Sequence, residues 1–63
     1  MREINWEEAF CGEGNSCYQL GTDAQGNSYI ALAGTEDHFL TDTREALQQM
    51  IRDIKAGKVD HLL

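Results

Sequence analysis

The sequence predicts an α+β fold, in which a small three-stranded antiparallel β-meander packs against one C-terminal α-helix. Two observations support this prediction. Apolar side chains recur at three- and four-residue spacing between Leu40 and Gly57, and two β-prone segments flank a Gly-containing turn before them. Because a short helix cannot bury its apolar stripe alone, the strands must supply the surface that covers it. The 63 residues form a single small domain, residues 1–63, with a correspondingly small core.

The first residues do not indicate one secondary structure. Ile4, Trp6 and Phe10 are interspersed with polar residues, so residues 4–10 fit a short strand, an irregular arm or a helix. Glycines at positions 12 and 14 then predict a loop that ends at residue 16.

A β-hairpin is predicted next, with strands at 17–22 and 28–33 and a turn at 23–27 that contains Gly26. Residues 29–32 form a continuous apolar run instead of an alternation, which is typical of a central strand covered on both faces. A second turn at 34–37 and a short third strand at 38–40 lead into the helix.

The helix is predicted from its apolar stripe and from signals at both ends. Asp42 and Glu45 have the spacing of a capping box, Thr43 is a second candidate N-cap, and Gly57 suits a left-handed C-terminal residue. The tail after Gly57 either packs back through its apolar residues or frays. The stripe consists of Ala46, Leu47, Met50, Ile51 and Ile54, and the apolar tail residues are Val59, Leu62 and Leu63.

The charge is distributed unevenly along the chain. The net charge is −6, and residues 1–42 carry −7 (eight acids and one base) while residues 43–63 carry +1 (three acids and four bases). Such a field repels phosphate backbones and anionic lipids, so we expect no direct binding to nucleic acid or membrane and a protein partner with a basic surface. The sequence has no apolar run that could span a membrane and no secretory signal, so we expect a cytoplasmic protein.

No arrangement of residues indicates catalysis, a cofactor or a metal site, so we expect a protein that is not an enzyme. His38 and His61 lack a nucleophile at a meaningful spacing. Five residues separate Cys11 from Cys17, which is not the spacing of a zinc knuckle. A disulfide between them is sterically feasible, but in the cytoplasm we expect both thiols to be reduced, with Cys17 as a small buried side chain.

Trp6 is the residue with the strongest claim to a role in binding. It is either a lid on the core or an aromatic anchor in a protein interface, and the neighbouring acids could engage a basic partner. Adjacent carboxylates at 7–8 and 36–37 point to opposite faces of an extended chain, so they are read as solvated charge instead of catalytic pairs. The predicted partner-binding residues are Trp6, Glu7, Glu8, Glu36 and Asp37.

Several short signals together resemble a known family. Trp6, the loop ending at Asn15 and Ser16, Cys17 at the start of a strand, and residues 54–60 are similar to domain of unknown function family 397. These are small, mostly acidic actinobacterial proteins that include the BldB type of developmental regulator. The chain departs from the pattern at 18–20, where Tyr-Gln-Leu replaces Val-Glu-Val, at 33–36, and at 47 and 50, where the family usually has Trp and Phe.

The resemblance implies regulation through protein contacts. Members are commonly encoded beside helix-turn-helix regulators, and no catalytic residue or cofactor comes with the family. The leading hypothesis is therefore a non-enzymatic acidic interaction domain that modulates a cognate helix-turn-helix transcription regulator, in a regulatory or antitoxin-like role. The alternatives are a self-associating structural module, a homodimer, and a metal or redox switch built on Cys11 and Cys17.

Overall fold

The structure is a computed structural model that describes residues 3–11 and 17–63. Its four strands form one antiparallel sheet in the order β1-β2-β3-β4, and one helix, α1, follows the last strand. Within the described residues, no helix is both long and apolar enough to cross a membrane. The elements are β1 (Asn5–Trp6), β2 (Tyr18–Thr22), β3 (Asn27–Leu32), β4 (Leu40–Thr43), α1 (Arg44–Lys55) and a 3₁₀ turn (Asp60–Leu62).

The predicted α+β class is confirmed, but the sheet has four strands instead of three. The additional strand, β1, comes from the segment for which the sequence left strand, arm and helix open. Trp6 pairs with Gly21 of β2, and beyond β1 a single bridge joins Phe10 to Tyr18. Residues 5–10 are therefore a two-residue strand continued by an irregular arm. The predicted loop at 12–16 lies outside the described residues.

The hairpin is confirmed within one residue at each strand, but the predicted position of the next strand is wrong. The sequence places that strand at 38–40, whereas β4 covers Leu40–Thr43. Residues 33–39 form the turn, in which the Thr35 amide donates to the Leu32 carbonyl and the His38 amide to the Thr35 carbonyl. Pairing with β3, from Ile30 opposite Leu40 to Asn27 opposite Thr43, determines where β4 lies.

Helix α1 begins at the second of the two predicted caps. The Thr43 side-chain oxygen accepts a hydrogen bond from the Ala46 amide at 3.1 Å. The predicted capping box of Asp42 and Glu45 is wrong, because the Asp42 carboxylate accepts a hydrogen bond from the adjacent Thr43 amide instead. At the other end Gly57 has a φ of +89°, as predicted for a helix-terminating glycine. The tail does not pack back, since Leu62 and Leu63 are exposed.

The two faces of the sheet carry different side chains. The register places Trp6, Gly21 and Tyr29 on one face, where the Trp6 and Phe39 rings lie 6.3 and 5.0 Å from the Tyr29 ring. The opposite face carries Leu20 and Ile30 and meets α1. Strand β3 is thus covered on both faces, as its apolar run predicted.

Asp23 ties the hairpin turn to the core and is almost fully buried. Its Oδ1 atom accepts hydrogen bonds from the Gln25 and Asn27 amides, at 2.9 and 3.0 Å. The Tyr29 hydroxyl donates to Oδ2 at 2.6 Å, and the Asn27 side-chain amide donates to the same oxygen. The Tyr29 hydrogen bond, reinforced by those from Asn27 and Gln25, outweighs the effect of burial and holds the pKa of Asp23 well below its usual range.

This lowered pKa makes the stability acid-dependent. The carboxylate favours the folded state at neutral pH, and this contribution is lost as pH falls below about 4, where an unfolded Asp begins to take up its proton. We expect Asp23→Asn to melt at a lower temperature than the parent at pH 7, with a weaker decline from pH 5 to about 2. Thermal melts across this range measure both effects. The matched control is Asp37→Asn, since Asp37 is exposed. Parallel pH profiles of melting temperature for the parent and Asp23→Asn would contradict a lowered pKa at Asp23.

Candidate functional site

An open apolar groove lies between α1 and the sheet. Its volume is about 550 Å³. We call it the helix groove. Of the residues that line it, only Lys55 is charged. The lining residues are Phe10, Tyr18, Leu20, Ile30, Met50, Ile51, Ile54 and Lys55.

Ordinary side-chain periodicities build the two walls of the helix groove. On the sheet, Leu20 lies directly opposite Ile30, and Tyr18 lies two residues from Leu20 on the same face. On the helix, Met50 and Ile54 are four residues apart and Ile51 lies between them, which places all three on one side. The sequence predicted the helix wall, but the sheet wall went unrecognised. The sequence pattern that could have revealed it is the alternation of the large side chains of Tyr18 and Leu20 with Gln19 and Gly21.

The groove stays open because of where α1 begins. Thr43 is both the last residue of β4 and the helix N-cap, so α1 starts at the β4 edge of the sheet and contacts β3 and β4. Much of the apolar stripe of α1 is therefore not covered by the sheet. Leu47 is buried, whereas Ile51 and Ile54 are 41% and 48% exposed. On the opposite wall Phe10 and Tyr18 are 62% and 67% exposed.

A second hollow of about 480 Å³ continues the apolar surface towards β4. It shares Tyr18 and Ile30 with the helix groove and extends to Leu40, which is 72% exposed. Its other lining residues are Ala31, Leu32, Thr35, His38 and Phe39. Apolar side chains are therefore accessible from the helix to the free edge of the sheet.

A disulfide joins Cys11 to Cys17, with their Cα atoms 4.6 Å apart. The expectation of two reduced thiols, and of Cys17 as an isolated buried side chain, is wrong for this structure. The Phe10 amide donates a hydrogen bond to the Tyr18 carbonyl at 2.8 Å. This bridge brings together Cys11, which follows Phe10, and Cys17, which precedes Tyr18. The disulfide thus anchors the segment 7–11, which we call the arm, at the mouth of the helix groove.

The part of the chain that the structure describes contains no group of three His, Cys, Asp or Glu residues close enough to hold a metal ion. Both cysteine sulfurs are committed to the disulfide. His38 is exposed beside Asp37, with Nε2 3.4 Å from the carboxylate, and His61 is exposed in the 3₁₀ turn.

Trp6 lies on the face of the sheet opposite the helix groove. Its half-buried ring covers Gly21 and packs towards Tyr29, which is the position of a lid on the core. Its predicted contact with a partner stays a prediction.

The four predicted acidic residues lie in two segments, one after β1 and one after β3. Glu7 and Glu8 are exposed in the arm, immediately after β1. Asp37 is exposed in the turn after β3, and the Glu36 carboxylate accepts a hydrogen bond from the Gly34 amide at 3.1 Å. Because β1 and β3 run in the same direction, both segments continue towards the end of the sheet where Phe10 and Tyr18 lie. Glu7 itself lies beside Leu20, in the middle of β2. We call these four residues the acidic end.

Comparison of the chain with protein-family models, with curated proteins and with solved structures finds no match in any of the three.

Proposed function

We propose that this protein is a non-enzymatic interaction domain whose helix groove binds an amphipathic, basic segment of a protein partner. The observation that carries the proposal is the solvent-open apolar groove in a chain whose net charge is −6. The resemblance to domain of unknown function family 397 supports a helix-turn-helix transcription regulator as that partner, with this domain modulating it in the cytoplasm.

The lining of the groove favours a protein segment over a small molecule. Small-molecule sites combine apolar walls with several polar groups that orient the ligand, whereas Lys55 is the single charged residue in this lining. The sheet wall and the helix wall present long apolar side chains to solvent. An amphipathic helix buries its apolar side chains in such a groove at positions i, i+3, i+4 and i+7.

The charge favours a basic partner. Glu7 and Glu8 of the acidic end belong to the same segment as Phe10, which lines the helix groove, and the whole chain carries a net charge of −6. Complementary charge speeds the encounter and selects the partner, while buried apolar anchors supply most of the affinity. Phosphate backbones carry the same sign as this surface, so we propose no direct contact with nucleic acid.

A designed peptide tests the groove directly. The probe is a synthetic amphipathic helix with leucines on one face and lysines on the other, and its control is a peptide of the same composition in which the leucines no longer share a face. We expect Ile54→Gln to weaken binding of the probe about tenfold or more, the loss typical of an interface anchor. The matched control is Leu62→Gln, an apolar residue 74% exposed outside the groove.

Amide chemical shifts and titrations measure both location and affinity. Equal losses for Ile54→Gln and Leu62→Gln, or equal binding of the control peptide, would contradict a binding groove. Reversing Glu7, Glu8, Glu36 and Asp37 to Lys should lower the association rate of the probe and leave its dissociation rate nearly unchanged. An unchanged association rate would show that the acidic end does not contribute to partner binding.

One observation favours homodimerisation as a second candidate function. Strand β4 is an edge strand whose four residues are all exposed, and Leu40 adds an apolar side chain to that edge. Unpaired edges are templates for strand addition by another copy. Sedimentation over a wide concentration range separates the candidates, because a protein that stays monomeric throughout cannot act as a homodimer.

A further inference from the structure

The disulfide and the helix groove share one short stretch of structure. Cys11 directly follows Phe10, and Cys17 directly precedes Tyr18. Phe10 and Tyr18 form both the isolated bridge and part of the groove lining. A covalent bond between the cysteines therefore clamps the position at which the arm joins the groove wall.

Few other contacts hold the arm in place. The Glu7 amide donates to the Leu20 carbonyl at 2.8 Å, and the Gln19 side chain donates to the Glu7 carbonyl at 3.1 Å. Further along, the Phe10 amide bonds to Tyr18, but the Phe10 side chain is 62% exposed and gains little from burial. A segment with few buried apolar contacts and exposed hydrogen bonds opens readily. The disulfide is therefore the strongest constraint at the end of the arm that carries Phe10.

We propose that the Cys11–Cys17 disulfide is a redox latch that controls the helix groove. The oxidised form holds Phe10 in the groove wall, and reduction releases the arm and removes Phe10 from that wall. The control of partner binding rests on the function proposed above, whereas the release of the arm is a property of this chain alone. In a reducing cytoplasm the dithiol form is the resting state. Exchange with a disulfide-bearing oxidant, which leaves as a dithiol and takes up two electrons and two protons, re-forms the Cys11–Cys17 bond and completes the groove.

The reductant is a dithiol. One thiolate of the dithiol attacks a cysteine sulfur, the protein S–S bond breaks, and a mixed disulfide forms. The second thiol of the reductant then displaces the protein sulfur, so the reductant leaves as a disulfide. Two electrons and two protons pass to Cys11 and Cys17. Cys11 is exposed and Cys17 half-buried, which makes Cys11 the accessible site of attack.

Hydrogen exchange of the full chain tests the latch without any partner. We expect the Phe10 amide to exchange about tenfold or more faster after reduction with dithiothreitol. The matched control is the Arg44 amide, which bonds to the Gly26 carbonyl at 2.9 Å far from the arm, and which should not change. A Cys11→Ser, Cys17→Ser variant should match the reduced protein with and without dithiothreitol. Unchanged exchange at Phe10, or equal acceleration at Phe10 and Arg44, would overturn the latch.

Titration with the leucine–lysine probe peptide tests the link to binding. We expect the reduced protein to bind the probe about tenfold more weakly than the oxidised protein, because the groove loses Phe10, one of its apolar anchors. Equal affinities combined with faster exchange at Phe10 would overturn control of the groove by the disulfide. A probe that binds neither form would contradict the proposed function, while the exchange result would still decide the release of the arm.

Discussion

Replacing Leu47 with Ala should leave most of the protein unfolded at room temperature. Leu47 is the one buried side chain of α1, and the only other buried apolar residues in the described ranges are Tyr29 and Ala31. Truncating a buried leucine costs about 2–5 kcal/mol. A single core in a domain of this size rarely supplies more than about 3–5 kcal/mol, so the loss is comparable to the whole free energy of unfolding.

The same helix provides the control for this variant. Ile54→Ala removes an apolar side chain from the same stripe, but Ile54 is 48% exposed, so about half of its surface is already in water. We expect Ile54→Ala to melt close to the parent, in contrast to Leu47→Ala. Circular dichroism melts and urea titrations measure the difference. Equal behaviour of the two variants would show that α1 does not use Leu47 to anchor itself to the sheet.

Gly21→Ala should destabilise the protein by about 1–3 kcal/mol, the usual cost of overpacking. A Cβ atom at this position would lie 2.8 Å from the Ile4 Cγ2 and Trp6 Cε3 atoms. Both side chains belong to the N-terminal edge of the sheet, so we expect them to be displaced and β1 to separate from β2. Without such a clash, Gly→Ala in a strand would stabilise the fold by about 0.4–1 kcal/mol through the unfolded chain, so the sign of the effect is diagnostic.

A double-mutant cycle separates the clash from general strand effects. Trp6→Ala alone should lower the melting temperature, because the Trp6 ring covers Gly21 and packs towards Tyr29. Adding Gly21→Ala to Trp6→Ala should then cost less than Gly21→Ala costs in the parent, since part of the clash is gone. Trp6 fluorescence should also shift towards that of exposed indole in Gly21→Ala. A rise in the melting temperature of Gly21→Ala would contradict the close packing.

The features that the sequence predicted correctly depend on residues close together in the chain. Gly26 has a φ of +85° in the hairpin turn and Gly57 one of +89° after the helix, conformations that glycine adopts at little cost. Thr43 caps a helix that begins at the next residue. The apolar spacing from Leu47 to Ile54 placed these side chains on one side of α1. Each of these signals acts through contacts within one or two turns of chain.

The features that the sequence missed depend on contacts between distant segments. Strand β1 forms because Gly21 leaves room for a Trp6 ring that is fifteen positions earlier in the chain. Asp23 was placed at the start of the predicted turn and counted among the acids, but its hydrogen bonds were not predicted, although an Asp at the start of a Gly-containing turn often accepts backbone hydrogen bonds. Its bond from the Tyr29 hydroxyl depends on how β3 folds back against the turn. The disulfide likewise requires the bridge between Phe10 and Tyr18.

The sequence by itself determined the class of fold, the hairpin, the glycine that ends α1 and the excess of acids before the helix, because local propensity and composition decide these properties. The tertiary structure decided which part of the apolar stripe is buried. Leu47 meets the sheet, while Ile51 and Ile54 face Phe10 and Tyr18 across open space. It also directed the segments that carry Glu8 and Asp37 towards the same end of the sheet. A helix period specifies a face of the helix, but only the position of α1 over β3 and β4 specifies what covers that face.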